Sequence, residues 1–394
     1  MTSKVFDIIT KERPVGTAAN DEILDFLEEQ FKNMNYSIQS LPFDCVVWEK
    51  GKSTLTLDNC KFDLEPSPFS EPFNGSGKLC NVKTLEELEA INCEGDILIL
   101  SGKITETPLQ PKNYPFYYPD EHKHLISLLE EKHPKAIIAA TGKNPLSGQN
   151  PFPLFEDGNF LIPSCNINNK TLSQIEAMLH SDSVSHLTIN SNKAPASSRQ
   201  IIASQKAEKP AGKVVICAHM DTKYNTPGAL DNASGVAVLL KVAELLKETK
   251  CNIDIVSFNS EEYFGACGEL EYLKQIDSQR DNIELMINID SPCHKGSQTA
   301  ISFYNLHESI SQITNSIMDR SQAIIKGQEW YAGDHAPFVF RGIPCLAVSS
   351  SDLFSGALEY THTSKDTLDT VDFEMVNLTA QCLAEVVLTF SDQT

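Results

Sequence analysis

Four compact, mostly apolar runs, Val214–Ala218, Ile253–Phe258, Leu285–Ile289 and Ile343–Val348, constrain this chain more than any other feature. Runs this short and this apolar predict strands buried on both faces, the habit of parallel sheets. Between the first two lies a helical pattern, Val236 to Leu246, with Leu239, Leu240, Ala243 and Leu246 on one face. Strands alternating with helices place the chain in the α/β class, with a mixed, mostly parallel sheet flanked by helices.

The carboxyl ends of these strands are chemically alike. Val214–Ala218 runs into His219-Met-Asp221, Ile253–Phe258 into Asn-Ser-Glu261-Glu262, and Leu285–Ile289 into Asp290. Ligand sites in open α/β sheets form beyond the carboxyl ends of the strands. A glycine-flanked loop, Gly228-Ala-Leu-Asp231-Asn-Ala-Ser-Gly235, adds a carboxylate, and Tyr360-Thr-His362 adds a second imidazole. Taken singly, each has an ordinary explanation. Histidines at strand ends are mostly structural, an Asp before a helix usually caps it, and Glu pairs usually face solvent. Together they form a set of imidazole and carboxylate donors without cysteine, which suits a catalytic zinc site. One carboxylate can bridge two cations, and one member of the Glu261-Glu262 doublet can hold metal while the other takes a proton. His294, His307 and His335 read as structural, with His335 the one best placed to border the same cleft.

The rest of the chain organises around this core. Ile23, Leu27, Phe31 and Met34 recur at helical spacing, with Asn20 and Asp21 offering N-cap oxygens. From about residue 45 to 195, short apolar runs (Ser53–Leu57, Asp96–Leu100, Ala136–Ala140, His186–Ile189) alternate with stretches rich in Pro, Asn, Ser and Gly. These predict a smaller β-rich unit with at least one helix, near His122–Glu131. The expected division is 1–44 plus 196–394 for a discontinuous main domain, and 45–195 for an inserted one.

Charge and cysteine usage narrow the function. The net charge is −21, with five arginines (Arg13, Arg199, Arg280, Arg320, Arg341), which argues against nucleic acid and anionic membrane surfaces as partners. No apolar run approaches the roughly 18 residues that span a bilayer, and the first residues lack a secretory apolar core. The 11 cysteines are scattered, without a C-x-x-C pair, so reduced thiols and a cytoplasmic location are expected.

At the acidic and histidine residues the chain resembles the di-zinc aminopeptidases of metallopeptidase family twenty-eight. The resemblance rests on AHMDT at 218–222, PGALDNASGVAVLL at 227–240, NSEEYFGACG at 259–268 and MINIDS at 286–291. GDHAPFVFRGIP at 333–344 and YTHTSKDTLDT at 360–370 extend it, and KERPVGTAANDEILDFLEEQF resembles the family's first helix. SGKLCNVKTLEELEAINCEGDILILSG and HPKAIIAAT resemble an inserted protease-associated domain. The resemblance implies a zinc-exopeptidase fold with two zinc ions, which manganese or cobalt could replace. His219 and Asp290 would hold one ion, Glu262 and His362 the other, and Asp231 would bridge them. Glu261 would be the general base and Asp221 would orient the His219 ring. A cis peptide is implied after Asp231.

The implied activity is hydrolysis of the N-terminal bond of peptides with a free amino terminus. A carboxypeptidase or dipeptidase of the same fold is the nearest alternative, and a non-enzymatic receptor-like relative the remote one. Carboxypeptidases usually pair the terminal carboxylate with an Arg fork. Only Arg320 and Arg341 lie between Asp290 and His362, neither in an obvious pocket motif. The Trp330–Asp334 loop is expected to wall the pocket for the first side chain. Nothing in the sequence bears on oligomeric state.

Overall fold

The structure, a computed structural model, describes residues 3–180, 183–207, 212–247, 249, 251–277 and 282–393. In chain order its elements begin with α1 (Ser3–Ile9), α2 (Ala18–Asn33), β1 (Ser37–Leu57), β2 (Cys60–Pro66), β3 (Phe73–Gly77), β4 (Leu79–Val82), α3 (Leu85–Ala90), β5 (Ile97–Leu100), α4 (Asp120–Lys132), β6 (Ala136–Thr141), β7 (Ser164–Asn168) and α5 (Asn169–Met178). They continue with β8 (Ser185–Gln205), β9 (Lys213–His219), α6 (Gly235–Leu245), β10 (Asn252–Phe258), α7 (Cys267–Ile276), β11 (Ile283–Ile289), β12 (Thr299–Tyr304), α8 (Glu308–Met318), β13 (Ile324–Lys326), α9 (Ala336–Val339), β14 (Cys345–Ser350) and α10 (Phe373–Gln393). Two compact units result, Met1–Cys45 with Ser197–Thr394, and Val46–Ala196. The chain passes between them within β1 and β8.

The discontinuous unit is built on a sheet of order β13-β12-β14-β11-β9-β10, with the last residues of β8 antiparallel beyond β10. The four runs that read as strands are its parallel centre: β14, β11, β9 and β10. Almost every residue in them is buried, because helices cover the sheet. α6 is apolar nearly all round and lies on β9 under α10, so it is a core helix. α10 is long and apolar enough to cross a membrane by length and composition. Its Val376, Ala380, Leu383, Val386 and Val387 are nonetheless buried, and it packs on α6 and α8.

Register decides what the sheet presents. His219 on β9 lies opposite Phe258 on β10, and Asn288 on β11 lies opposite Cys217. The three strands therefore end level, and His219, Glu261-Glu262 and Asp290 emerge at one edge. At α2 the cap is Thr17, whose hydroxyl accepts the Asn20 N–H, and not Asn20 or Asp21. Asn20 is instead buried, and its amide donates to Asn259 Oδ1 at 2.8 Å and to the Arg13 carbonyl at 3.1 Å. A polar residue on the inward face looks like a cap in sequence; its long-range partner is visible only in three dimensions.

The second unit is less purely β than its sequence predicts. β4, β5, β6 and β7 form a parallel sheet, and β2 pairs antiparallel with β7 and β1. Ile97, Ile99, Ile138 and Ala140 pack on one side with Leu172 and Ile175 of α5. Leu98, Leu100, Ile137 and Ala139 pack on the other with Leu88, Leu125, Ile126 and Leu129 of α3 and α4. Helices on both faces explain why its runs lack polar alternation. Each fully buried Leu or Ile side chain stabilises such a core by about 1.5–3 kcal/mol.

Candidate metal centre

Each functional side chain is held by a backbone feature local to it. The chain leaves β10 through Ser260 at φ 143°, a conformation rarely adopted by residues with a Cβ. Such backbone costs on the order of 1–3 kcal/mol and persists where surrounding contacts enforce it. Here the Ser260 hydroxyl donates to Glu269 Oε2 and accepts the Gly268 N–H at 2.6 Å. Asp221 accepts the N–H groups of Ser260, Glu261 and Glu262 at 3.2, 3.2 and 3.1 Å, which fixes the Glu doublet at the strand end.

The Asp231 loop is fixed in a comparable way. Asp366 accepts the N–H groups of Leu230 at 2.7 Å and Asp231 at 3.0 Å. Asn232, and not Asp231, caps α6, accepting the Gly235 N–H at 3.0 Å and donating to the Ile289 carbonyl at 2.8 Å. Gly235 is required by this close approach, since a Cβ there would lie 2.1 Å from Asn232 Oδ1. The Asp231–Asn232 peptide is cis, as the resemblance implies.

The side chains converge as two triads sharing one carboxylate. His219 Nε2 lies 3.1 Å from Asp231 Oδ1 and 3.6 Å from Asp290 Oδ1. His362 Nε2 lies 3.2 Å from Asp231 Oδ2 and 2.9 Å from Glu262 Oε1. Asp231 thus turns one oxygen to each triad, and within each triad the donor atoms lie within 4.8 Å of one another. A zinc ion with bonds of about 2.0–2.2 Å in tetrahedral geometry sets its ligands roughly 3.3 Å apart. The observed donor separations match that spacing, and the nitrogen–oxygen chemistry matches a catalytic site. The residues fit two such cations.

Electrostatics follow from the crowding. Burial alone lowers the His219 pKa, but Asp231 and Asp290 outweigh it and hold the group well above its ordinary value. The same balance, with Glu262 and Asp231 on the other side, raises His362. For Asp231, burial is outweighed by the two imidazoles, and its carboxyl lies below the usual range. Desolvation, opposed by His219 and reinforced by Glu262 and Asp290, pushes Glu261 well up. A carboxylate so placed is a ready proton acceptor once the site carries compensating positive charge.

The expected roles of Asp221, His335 and Trp330 need correction, whereas His294, Arg320 and Arg341 lie outside the site as expected. Asp221 Oδ1 is 3.8 Å from His219 Nδ1, too far for a hydrogen bond, and that nitrogen is buried without a partner. Asp221 supports the Glu doublet instead. His335 is fully buried, bonded by Nε2 to the Trp330 carbonyl at 2.7 Å, with Nδ1 3.3 Å from Asn288 Nδ2. Trp330 packs its ring on His335 and is itself buried, so it belongs to the core and not to a pocket wall; Tyr331 and Ala332 are the exposed members of the loop. His294 pairs with Asp352 at 2.8 Å. Arg320 and Arg341 pair with Glu385 and Asp277 at the surface, and Arg280 lies outside the described residues.

Sequence reading missed the supporting roles of Arg13, Lys223, Asp366 and Glu269. Lys223 Nζ sits 3.3 Å from Glu262 Oε2. Glu269 is buried against Ser260, and burial, with Asp221 adding to it, pushes its carboxyl up to about 7. Arg13 and Asp366 stand within the KERPVG and THTSKD stretches, so the signal was present without any indication of contact.

Residues 200–387 match the family model for peptidase family M28. Among curated proteins, the probable lipoprotein aminopeptidase LpqL of Mycobacterium tuberculosis is 24% identical over 73% of this chain and 57% of its own length. Aminopeptidase YwaD of Bacillus subtilis is 26% identical over 45% of this chain and 41% of its own. The chain therefore spans about half the length of the curated relatives it matches. Among solved structures, an aminopeptidase from Aneurinibacillus sp. strain AM-1 superposes with a TM-score of 0.76 at 20% identity, over 98% of this chain and 92% of that one. The zinc aminopeptidase BSAP from Bacillus subtilis gives 0.73 at 19%, over 98% and 93%. These structures share the fold, a mixed and mostly parallel sheet flanked by helices.

Proposed function

We propose that this chain is a two-zinc aminopeptidase. The observation that carries the reading is the Asp231 carboxylate, with one oxygen in each of two His–carboxylate triads. Two bound zinc ions would supply Lewis acidity and lower the pKa of the attacking water. His219 and Asp290 would hold one ion, Glu262 and His362 the other, with Asp231 between. Glu261, adjacent to a ligand but outside both triads, accepts the proton of the attacking water and returns it to the leaving amine. Asp221 keeps Glu261 and Glu262 in register through their backbone N–H groups. Both curated relatives and the two solved structures are named as aminopeptidases, which supports this reading. We also read Val46–Ala196 as a protease-associated-like insert that takes no step in hydrolysis. A reducing compartment is consistent with the 11 free cysteines.

Reading the amino end is supported by charge. The site is lined by Asp231, Asp290, Glu261 and Glu262, which favour an ammonium. Arg320 and Arg341, the natural candidates for a carboxylate fork, are engaged at the surface. One short peptide in three forms tests this. Cleavage of the free and C-amidated forms, with N-acetylation blocking release, is expected. Cleavage of the acetylated form with loss on amidation would mean a carboxypeptidase.

A further inference from the structure

Arg13 is fully buried, yet it precedes α2 by a few residues and lies far in sequence from every proposed ligand. Its guanidinium is spent on backbone carbonyls. Nε donates to Met220, Nη1 to Pro227 at 3.0 Å and Lys11 at 2.9 Å, and Nη2 to Gly228 at 3.1 Å. Met220 lies between His219 and Asp221, and Pro227-Gly228 opens the loop that carries Asp231. One planar fork therefore joins the segment bearing a terminal ligand to the segment bearing the bridging ligand. The Arg13 backbone N–H adds a bond to Thr222 Oγ1 at 2.9 Å. Gly228, at φ 64°, makes the approach possible: a Cβ there would lie 2.3 Å from Thr222 Cγ2 and 3.1 Å from Arg13 Nη1.

Charge gives the same residue a second task. Asp221 and Asp366 are buried carboxylates outside both triads, and each accepts N–H groups from a ligand-bearing loop. Of the negative groups that favour the charged guanidinium, these two act on it most strongly, followed by Asp231 and Glu262. An uncompensated buried charge is strongly destabilising. The guanidinium offsets these two supports, leaving the charge of the triads to the cations they bind.

We propose that Arg13 is a positioning residue that sets the spacing of the two triads, so that both cations bind tightly only when the segment before α2 is docked. The proposal rests on the two-cation reading of the site but not on its peptidase activity. A lysine at this position keeps the charge but offers no planar fork, and cannot reach these four separated carbonyls in fixed geometry.

Zinc affinity is the direct measure, taken by competition of the metal-free full chain with a chromogenic chelator. Thermal unfolding of each metal-free variant runs alongside. Arg13→Lys is expected to stay folded and to bind at least one zinc about 10–100-fold more weakly, the range for loss of an outer partner of a metal ligand. In Arg13→Ala, millimolar ethylguanidinium should restore affinity toward wild type, and ethylammonium should not. Arg13→Lys binding two zinc ions with wild-type affinity would overturn the proposal. So would a lower unfolding temperature with unchanged affinity, because that marks a purely structural role. A wild-type chain that binds no zinc would instead remove the two-cation reading itself.

Discussion

Glu261→Gln is expected to lower turnover by about 10²–10⁴ while both zinc ions stay bound. The amide keeps the size of the side chain and leaves both triads intact, since Glu261 contributes to neither. Its backbone N–H, held by Asp221 at 3.2 Å, is untouched, so the Glu262 ligand should not move. Only the proton acceptor disappears. The loss should therefore fall on kcat, with KM little changed, because proton transfer belongs to the transition state. Zinc content and steady-state kinetics on one preparation check both halves. Wild-type turnover in a variant that retains both ions would remove Glu261 from its role.

Asp231→Asn should act on the other half of the site. An amide has one oxygen and one nitrogen, so it cannot turn an oxygen to His219 Nε2 at 3.1 Å and another to His362 Nε2 at 3.2 Å. The negative charge shared between the triads is lost as well. The weakening of at least one ion should exceed the roughly 10–100-fold seen for outer partners. Equilibrium dialysis followed by metal analysis should find fewer than two zinc ions per chain. Two tightly held ions in this variant would refute the bridge. The two variants are complementary, since one loses chemistry with metals present and the other loses metal.

Much of this was legible in the sequence because burial on both faces leaves a direct mark. The four central strands and α6 are apolar without polar alternation, so their positions follow from composition over a few residues. The strand-end residues His219 and Asp290 were legible for the same reason, since each directly follows such a run, and Glu262 lies four residues past the end of another. Other features left no local mark. Asn20 has the composition of a cap, yet its partner is Asn259 across the core. Arg13 and Asp366 act on loops more than a hundred residues away. Trp330 looks like a pocket wall until its ring is seen against buried His335. The parallel sheet of the second unit was underestimated because its helices, α3 and α5, are short and mostly polar outside two or three inward positions.

The most direct test of the central claim is a zinc titration of chelator-treated protein, followed by hydrolysis of an amino-acid anilide. The account predicts no hydrolysis by the metal-free chain and activity that rises with added zinc, with two ions bound per chain at the plateau. Full activity in the metal-free chain, or two bound zinc ions without anilide hydrolysis, would contradict it.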